Sequence, residues 1–402
     1  MSKVYIVAAK RTAIGTFLGS LTNVSAAELG AAVVKRIVSD VNIQPEHIDE
    51  VISGNVLPAG QGQGVGRQVV IRAGFPNSVV GYGVSMVCGS GMKAIMDGYL
   101  KIQAGWANVI VAGGTESMSQ APYLIPYKTR VGAKMANFEV VDHMIYDALI
   151  DAYDGIHMGI TAENIVSKHQ ITREEQDDFA FLSQQKAIQA SDSGRFNDEI
   201  VPLEVKIGKE TLTFDKDEYP NRKTSLEKLA TLKPAFKKDG SVTAGNASGI
   251  NDGAAYVLLA SEEAVKQYNL TPLVEIVGAD QAAIDPKVMG LGPVHAIENV
   301  LKRTNTDLKS IDLLELNEAF AAQSLGVIKE LSEDLQIDKS WFLERTNVNG
   351  GAIALGHPVG ASGARIVVTL IHEMKKRNSE HGLASLCIGG GMGTAIILKN
   401  VK

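Results

Sequence analysis

Apolar positions along this chain follow two periods, one of strands and one of helices. Val4–Ala8 reads as a short apolar strand. The capping box Ser25-Ala26-Ala27-Glu28 predicts a helix from there through about Asp40. Glu50–Ser53 begins another strand. Met92, Ile95, Met96 and Tyr99 fall at i, i+3, i+4 and i+7, an amphipathic helix ending near Gly105. Val109–Ala112 reads as a second core strand, closed by Gly113-Gly114. Apolar strands alternating with helices predict a mostly parallel sheet flanked by helices.

The end of the chain repeats this order. Ser362-Gly363 precedes a predicted helix whose Val367, Leu370, Ile371 and Met374 share one face, and whose end carries Lys375, Lys376 and Arg377. Leu383–Ile388 follows as a strand closed by Gly389-Gly390-Gly391. Each half thus contains Ser-Gly, helix, strand and Gly-Gly. One half has a cysteine ahead of its helix, and the other has a histidine at the matching place. Between the halves, from about Ser119 to Gly249, the chain is more polar and charged, with Thr172-Arg173-Glu174-Glu175 capping a helix through about Ala190. This stretch reads as an insertion or lid over the edge of the sheet.

Composition narrows the function. Two cysteines in 402 residues exclude a disulfide framework. The net charge of −6 is modest and the basic residues are dispersed, so no basic stripe for nucleic acid is expected. No apolar run reaches the roughly 18 residues of a membrane span. The first residues lack the pattern of a secretory signal, and a cytoplasmic location is the expectation.

Both cysteines sit where an apolar run breaks into glycines: Cys88 in Met86-Val87-Cys88-Gly89-Ser90-Gly91, and Cys387 in Leu386-Cys387-Ile388-Gly389-Gly390-Gly391. Such a turn leaves a thiol approachable and its backbone N–H groups free to meet developing negative charge. His357, held between Gly356 and Pro358, is a fixed imidazole open on one side. Asn317 follows a strand-like run from Ile311; it reads either as a helix N-cap or as an amide that holds a catalytic water. Gly60-Gln61-Gly62-Gln63-Gly64-Val65-Gly66 has glycine at every second position, unlike a dinucleotide fingerprint, and reads as a flexible or tight backbone approach. Metal-ligand spacing of His and Cys is absent.

Five segments, in order, carry a resemblance: Val87–Ala94, Gly113–Ser119, Asn317–Ala321, Asn347–Pro358 and Cys387–Gly393. Over its whole length the chain resembles the thiolases, in their biosynthetic acetyl-CoA acetyltransferase branch. The resemblance implies an α/β fold of two similar βαβαβαββ halves in a five-layered αβαβα arrangement. The first half would be 1–118, completed by 250–272, and the second 273–402, with a loop domain at 119–249 that binds coenzyme A. It implies a Claisen condensation of two acetyl-CoA to acetoacetyl-CoA, and the reverse thiolysis, without metal or prosthetic group. Cys88 would carry the acetyl group, His357 would activate it, and Cys387 would move the α-proton. Asn317 with His357 would form one oxyanion site, and the N–H groups of Cys88 and Gly389 the other. His157, Met158, Phe236, Ser248 and Phe320 would line the pantetheine tunnel. Arg222 matches, one residue late, an arginine near the adenine or phosphate, with Lys228 a possible substitute. A homotetramer, no nucleic acid and no membrane are implied. The alternative within the family is a degradative 3-ketoacyl-CoA thiolase for longer chains.

Overall fold

The computed structural model describes residues 3–135 and 137–401. The first half is laid down as β1 (Val4–Thr12), α1 (Ala26–Asp40), β2 (Glu50–Gly54), α2 (Val65–Arg72), β3 (Val80–Val84), α3 (Ser90–Gln103) and β4 (Val109–Ser117). The described residues of 118–250 then lie outside the sheet except Ile200–Val201, which pairs in parallel with Arg11 and Thr12 of β1. They carry, among shorter pieces, α4 (Met158–His169) and α5 (Arg173–Asp192); β5 (Asn251–Ser261) returns to the sheet. The second half repeats the order as β6 (Val274–Ala283), α6 (Gly292–Thr304), β7 (Leu313–Leu316), α7 (Ala321–Asp334), α8 (Val359–Arg377), β8 (His381–Ile388) and β9 (Met392–Asn400). The counterpart of β3 is reduced to one bridge between Leu314 and Thr346.

Spatial order is the same twice: β3-β2-β4-β5-β1 in one half and β7-β8-β9-β6 in the other. The two halves of the sheet join where β1 pairs with β6, Tyr5 opposite Glu275 and Ile6 opposite Val274. Helices α3 and α8 pack together between the sheets, with α1 and α2 outside the first and α6 and α7 outside the second. Side-chain alternation along β5 shows why the layers form. Tyr256 and Leu258 join the outer core under α1, whereas Val257 and Leu259 join the central core of α3 and α8. In β9, Ile397 faces the outer core of the second half and Ile396 the central one. A strand buried on both faces reads as an unbroken apolar run, as these do.

The capping boxes at Ser25 and Thr172 both form. Three expectations fail. The sheet is not mostly parallel: β2 pairs in parallel with β3 and β4, and β7 with β8, but β1–β5, β5–β4, β1–β6, β6–β9 and β8–β9 are antiparallel. The reason is that β9 turns straight back beside β8, and β5 returns beside β4, without a crossover helix. Gly113-Gly114 does not close a strand: β4 runs through the pair to Ser117, in register with β5. The glycines are there for clearance, since a Cβ on Gly114 would lie 2.0 Å from the Gly360 carbonyl oxygen. Nor does Ser362-Gly363 precede its helix; α8 starts at Val359, with Pro358 as N-cap, and the pair lies inside the first turns. The Gly60–Gly66 run holds left-handed φ at Gly60, Gly62 and Gly64, the last capping α2, which fits a tight turn. Among the described residues, no helix is long and apolar enough to cross a membrane.

Candidate active site

The two central helices meet at their N-termini. A Cβ on Gly91 would come 2.9 Å from the Gly360 carbonyl oxygen, and one on Gly363 would come 2.6 Å from the Met92 nitrogen. Cys88 stands two residues ahead of the first residue of α3, and His357 two ahead of α8. The pseudo-symmetric placement expected from sequence is therefore present in space. Ser90 folds the Cys88 loop, its hydroxyl donating to the Val87 carbonyl at 2.7 Å and accepting from the Met86 N–H at 2.8 Å. That turn forces Val87 to φ 44°, a left-handed conformation that costs a β-branched residue about 1–3 kcal/mol. Burial pushes the Cys88 thiol up to about 11, while hydrogen bonds from the Gly389 N–H and from its own N–H favour the thiolate. The positive end of α3 acts in the same direction as those two donors.

His357 is buried, and its backbone N–H donates to Asn251 Oδ1 at 2.9 Å. Gly356 before it has φ +100°, and a Cβ there would overlap the Asn251 side chain. The imidazole Nδ1 lies 2.6 Å from Ser362 Oγ, and Nε2 has no hydrogen-bond partner among the described residues. Burial, with the Arg365 charge adding to it, lowers the imidazole to about 4. At neutral pH the ring is therefore uncharged and able to accept a proton.

Cys387 ends β8 fully buried, in a cluster with Met158, Ala319, Phe320 and Met289. Burial, and then its neighbour Cys88, push this thiol far above the ordinary range. Gly389 lies between the Cys88 loop and α4, as a Cβ on it would stand 3.4 Å from both Val87 and Met158. Asn317 is buried, its N–H donating to the Ser385 carbonyl at 3.0 Å, and neither side-chain atom has a protein partner. It is not an N-cap: Phe320 holds that position for α7. A buried primary amide without partners is costly unless something binds it.

The predicted tunnel residues also gather here. His157 caps α4 by accepting the Gly159 N–H on Nδ1 at 3.0 Å, and its ring stacks on Phe236 at 4.7 Å. Phe236 meets Phe320 edge-on at 6.0 Å. The Ser248 N–H donates to the Ala319 carbonyl at 2.9 Å, which ties its segment beside Phe320. Arg222 is placed differently: it is exposed and forms a two-pronged pair with Asp192 at the end of α5. Lys228 donates to the Lys223 carbonyl.

Sequence reasoning left three supporting groups without a role. Buried Glu116 accepts from the N–H groups of Val56 (2.9 Å), Leu57 (3.2 Å) and Gly360 (3.0 Å), and burial pushes it up to about 7. Glu318 accepts from Ser183 Oγ (2.6 Å), Asn347 Nδ2 (2.8 Å) and the Ile353 N–H (3.3 Å), tying α5 to the segment that leads to His357. Ser362 is the third. Glu116 and Glu318 lie inside glycine- and alanine-rich motifs, and a carboxylate there is a signal that could have marked them. Among the described residues, no group of three His, Cys, Asp or Glu is arranged to hold a metal ion.

The family model for the N-terminal domain of thiolase matches residues 4–263, and that for the C-terminal domain matches 270–400. The chain belongs to the thiolase family. This thiolase is 53% identical over 399 residues to the acetyl-CoA acetyltransferase of Pseudomonas aeruginosa, covering 99% of each chain. It superposes on the acetyl-CoA acetyltransferase of Bacillus anthracis with a TM-score of 0.95 at 46% identity, covering 100% of this chain and 99% of that one. Human mitochondrial 3-ketoacyl-CoA thiolase in complex with CoA gives 0.93 at 44%, covering 100% and 98%. The thiolase fold expected from the resemblance, with two like halves around paired central helices, is the fold of this chain.

Proposed function

We propose that this thiolase is an acetyl-CoA C-acetyltransferase, condensing two acetyl-CoA to acetoacetyl-CoA and catalysing the reverse thiolysis. The observation that carries the mechanism is the convergence of Cys88, the Gly389 N–H and Cys387 at the mouth of the paired helices. Cys88 gives its proton to His357 Nε2 and attacks the thioester carbonyl; the N–H groups of Cys88 and Gly389 receive the oxyanion. Cys387 protonates the departing coenzyme A sulfur. As thiolate it then takes a proton from the methyl group of a second acetyl-CoA. His357, now carrying a proton on Nε2, and a water on Asn317 hold that enolate oxygen. The carbanion attacks the acetyl group, and the released Cys88 sulfur recovers the proton from His357. The chain supplies nucleophile, bases and oxyanion donors, so the proposal includes no cofactor or metal.

Within this reading His157, Met158, Phe236, Ser248 and Phe320 contact pantetheine, Arg222 turns from Asp192 toward the nucleotide end, and residues 119–249 act as the coenzyme A-binding unit. The working enzyme is a cytoplasmic homotetramer. The exposed Tyr127, Val131, Met135 and Phe138 and the open edge of β3 support self-association. The test is a mass shift of one acetyl group on Cys88 after mixing with acetyl-CoA. Cys387→Ala should still reach that shift, though more slowly for want of the proton to coenzyme A, and should lose condensation. Condensation at wild-type rate in Cys387→Ala would refute its role. Preference for a long 3-ketoacyl-CoA over acetoacetyl-CoA in thiolysis would replace the biosynthetic reading with the degradative one.

A further inference from the structure

We infer that Ser362 is a positioning residue for the acyl-transfer base, its hydroxyl oxygen holding His357 in the Nδ1–H form so that Nε2 presents a lone pair. The inference rests on the proposed reaction only in taking Cys88 as the acetylated group. Ser362 is buried on the first turn of α8, with Oγ 2.6 Å from His357 Nδ1 and 2.9 Å from the Pro358 carbonyl oxygen. A hydroxyl has one proton. Donated to the Pro358 carbonyl, it leaves the oxygen able only to accept, so the hydrogen of this contact belongs to Nδ1. The opposite arrangement would place the ring hydrogen on Nε2, which has no acceptor in the protein, and a buried N–H without a partner is the costlier orphan.

Among the described residues, no other hydrogen bond to Nδ1 selects the tautomer. The backbone of His357 is fixed separately, through Asn251 and the left-handed Gly356. The charged and titratable groups at the ring and its helix start are Arg365 on α8, Glu116 on β4 (which accepts the Gly360 N–H) and Cys88, which packs in the cluster of Val359. None of them hydrogen-bonds Nδ1. A carboxylate in the place of Ser362 would stabilise the imidazolium and favour a standing thiolate–imidazolium pair. A hydroxyl orients the ring without adding charge. The pair then rests neutral, the proton moves to Nε2 as the sulfur attacks, and the same proton returns to sulfur when the product leaves.

The experiment compares Ser362→Ala, Ser362→Thr and Ser362→Asp in the full chain. It measures the rate of Cys88 acetylation by acetyl-CoA, with KM, and the pH profile of Cys88 alkylation by iodoacetamide. Ser362→Ala should slow acetylation roughly 100-fold at saturating acetyl-CoA with KM little changed. Ser362→Thr, which keeps the oxygen, should return to within a few-fold of wild type. Ser362→Asp should make alkylation faster than wild type near pH 6, as the carboxylate favours the ion pair. Equal losses in folded Ala and Thr variants would mean a packing role and overturn the inference, as would a wild-type rate in Ser362→Ala or an unchanged profile in folded Ser362→Asp. If Ser362→Ala does not fold, Ser362→Cys, a weaker hydrogen-bonding group of similar shape, replaces it with the same expected loss. Failure of the wild-type protein to acetylate Cys88 would refute the proposed function instead, and the alkylation profiles would still test Ser362.

Discussion

Gly114→Ala tests whether the contact between β4 and the two central helices sets the active-site geometry. The new Cβ would lie 2.0 Å from the Gly360 carbonyl oxygen and 3.1 Å from the Gly91 Cα. Those atoms belong to the first turns of α8 and α3, which carry His357 and Cys88. The clash is with backbone and cannot be relieved by a rotamer change. Restoring about 3 Å needs roughly 1 Å of movement by one helix start or the other, at an overpacking cost of ~1–3 kcal/mol. A displacement of that size between reacting groups costs on the order of 100-fold in rate. The neighbour is the control, because successive residues of a strand point to opposite faces. A Cβ on Gly113 would lie 2.1 Å from the Ala255 carbonyl oxygen and 2.8 Å from the Tyr256 ring, in the outer layer. Urea midpoints should fall for both variants. Rapid-quench mass spectrometry of Cys88 acetylation, normalised to folded protein, should separate them: about 100-fold slower for Gly114→Ala, within a few-fold of wild type for Gly113→Ala. A folded Gly114→Ala that acetylates at the wild-type rate would refute the reasoning.

Three further outcomes follow from the buried polar groups. Asn317→Ala should leave the urea midpoint almost unchanged, since the amide has no protein partner to lose, while thiolysis of acetoacetyl-CoA falls roughly 10- to 100-fold. His357 sits at about 4 in the fold against 6.5 unfolded, so the unfolded chain takes up a proton that the native state refuses. Stability should therefore be full above pH 6.5 and fall toward pH 4, by at most about 3 kcal/mol from this group. Urea titrations at several pH values should show a flatter acid limb in His357→Asn than in wild type. Glu315 and Arg365 form a buried pair at 3.1 Å between β7 and α8. Burial pushes Glu315 up to about 8, so its charge opposite Arg365 is complete only above that pH. Glu315→Gln should cost more in chemical denaturation at pH 9, ~3–5 kcal/mol, than at pH 7, and an equal cost at both would refute this reading.

What could be read from the sequence depended on how local the cause was. Capping boxes and helical faces are short-range, and α1, α3 and α5 begin and end close to their expected limits. The equivalence of Cys88 and His357 was also legible, because it needs only matching positions before matching helices. Glycines misled wherever their cause was distant. Gly113-Gly114 looks like a strand terminus because nothing near it in sequence announces Gly360, which lies more than two hundred residues away. Asn317 was ambiguous for the same reason: capping and water-holding differ only in which backbone groups surround the amide, and Phe320 takes the cap. Ser362 acts through a side-chain contact five residues back on a helix that starts earlier than its polar pattern suggests.

The two halves differ most at one connection, and that difference accounts for a single site in a doubled fold. In the second half, β8 turns straight into β9 through Gly389-Gly390-Gly391, with left-handed φ at Gly390 and Gly391. The turn brings the Gly389 N–H to the Cys88 sulfur of the other half. In the first half the same β-to-β connection, from β4 to β5, is opened to residues 118–250. Had both connections stayed short, each helix start would face the other half's turn, and the cleft would have two equivalent ends with no wall. Opening one of them removes the second turn and supplies α4 instead, whose His157 and Met158 stand against Phe236, Phe320 and Cys387. The tight turn is thus the part that donates to the Cys88 sulfur, and the opened one supplies the wall beside Cys387, so lengthening the Gly389–Gly391 turn should slow Cys88 acetylation before it lowers the urea midpoint.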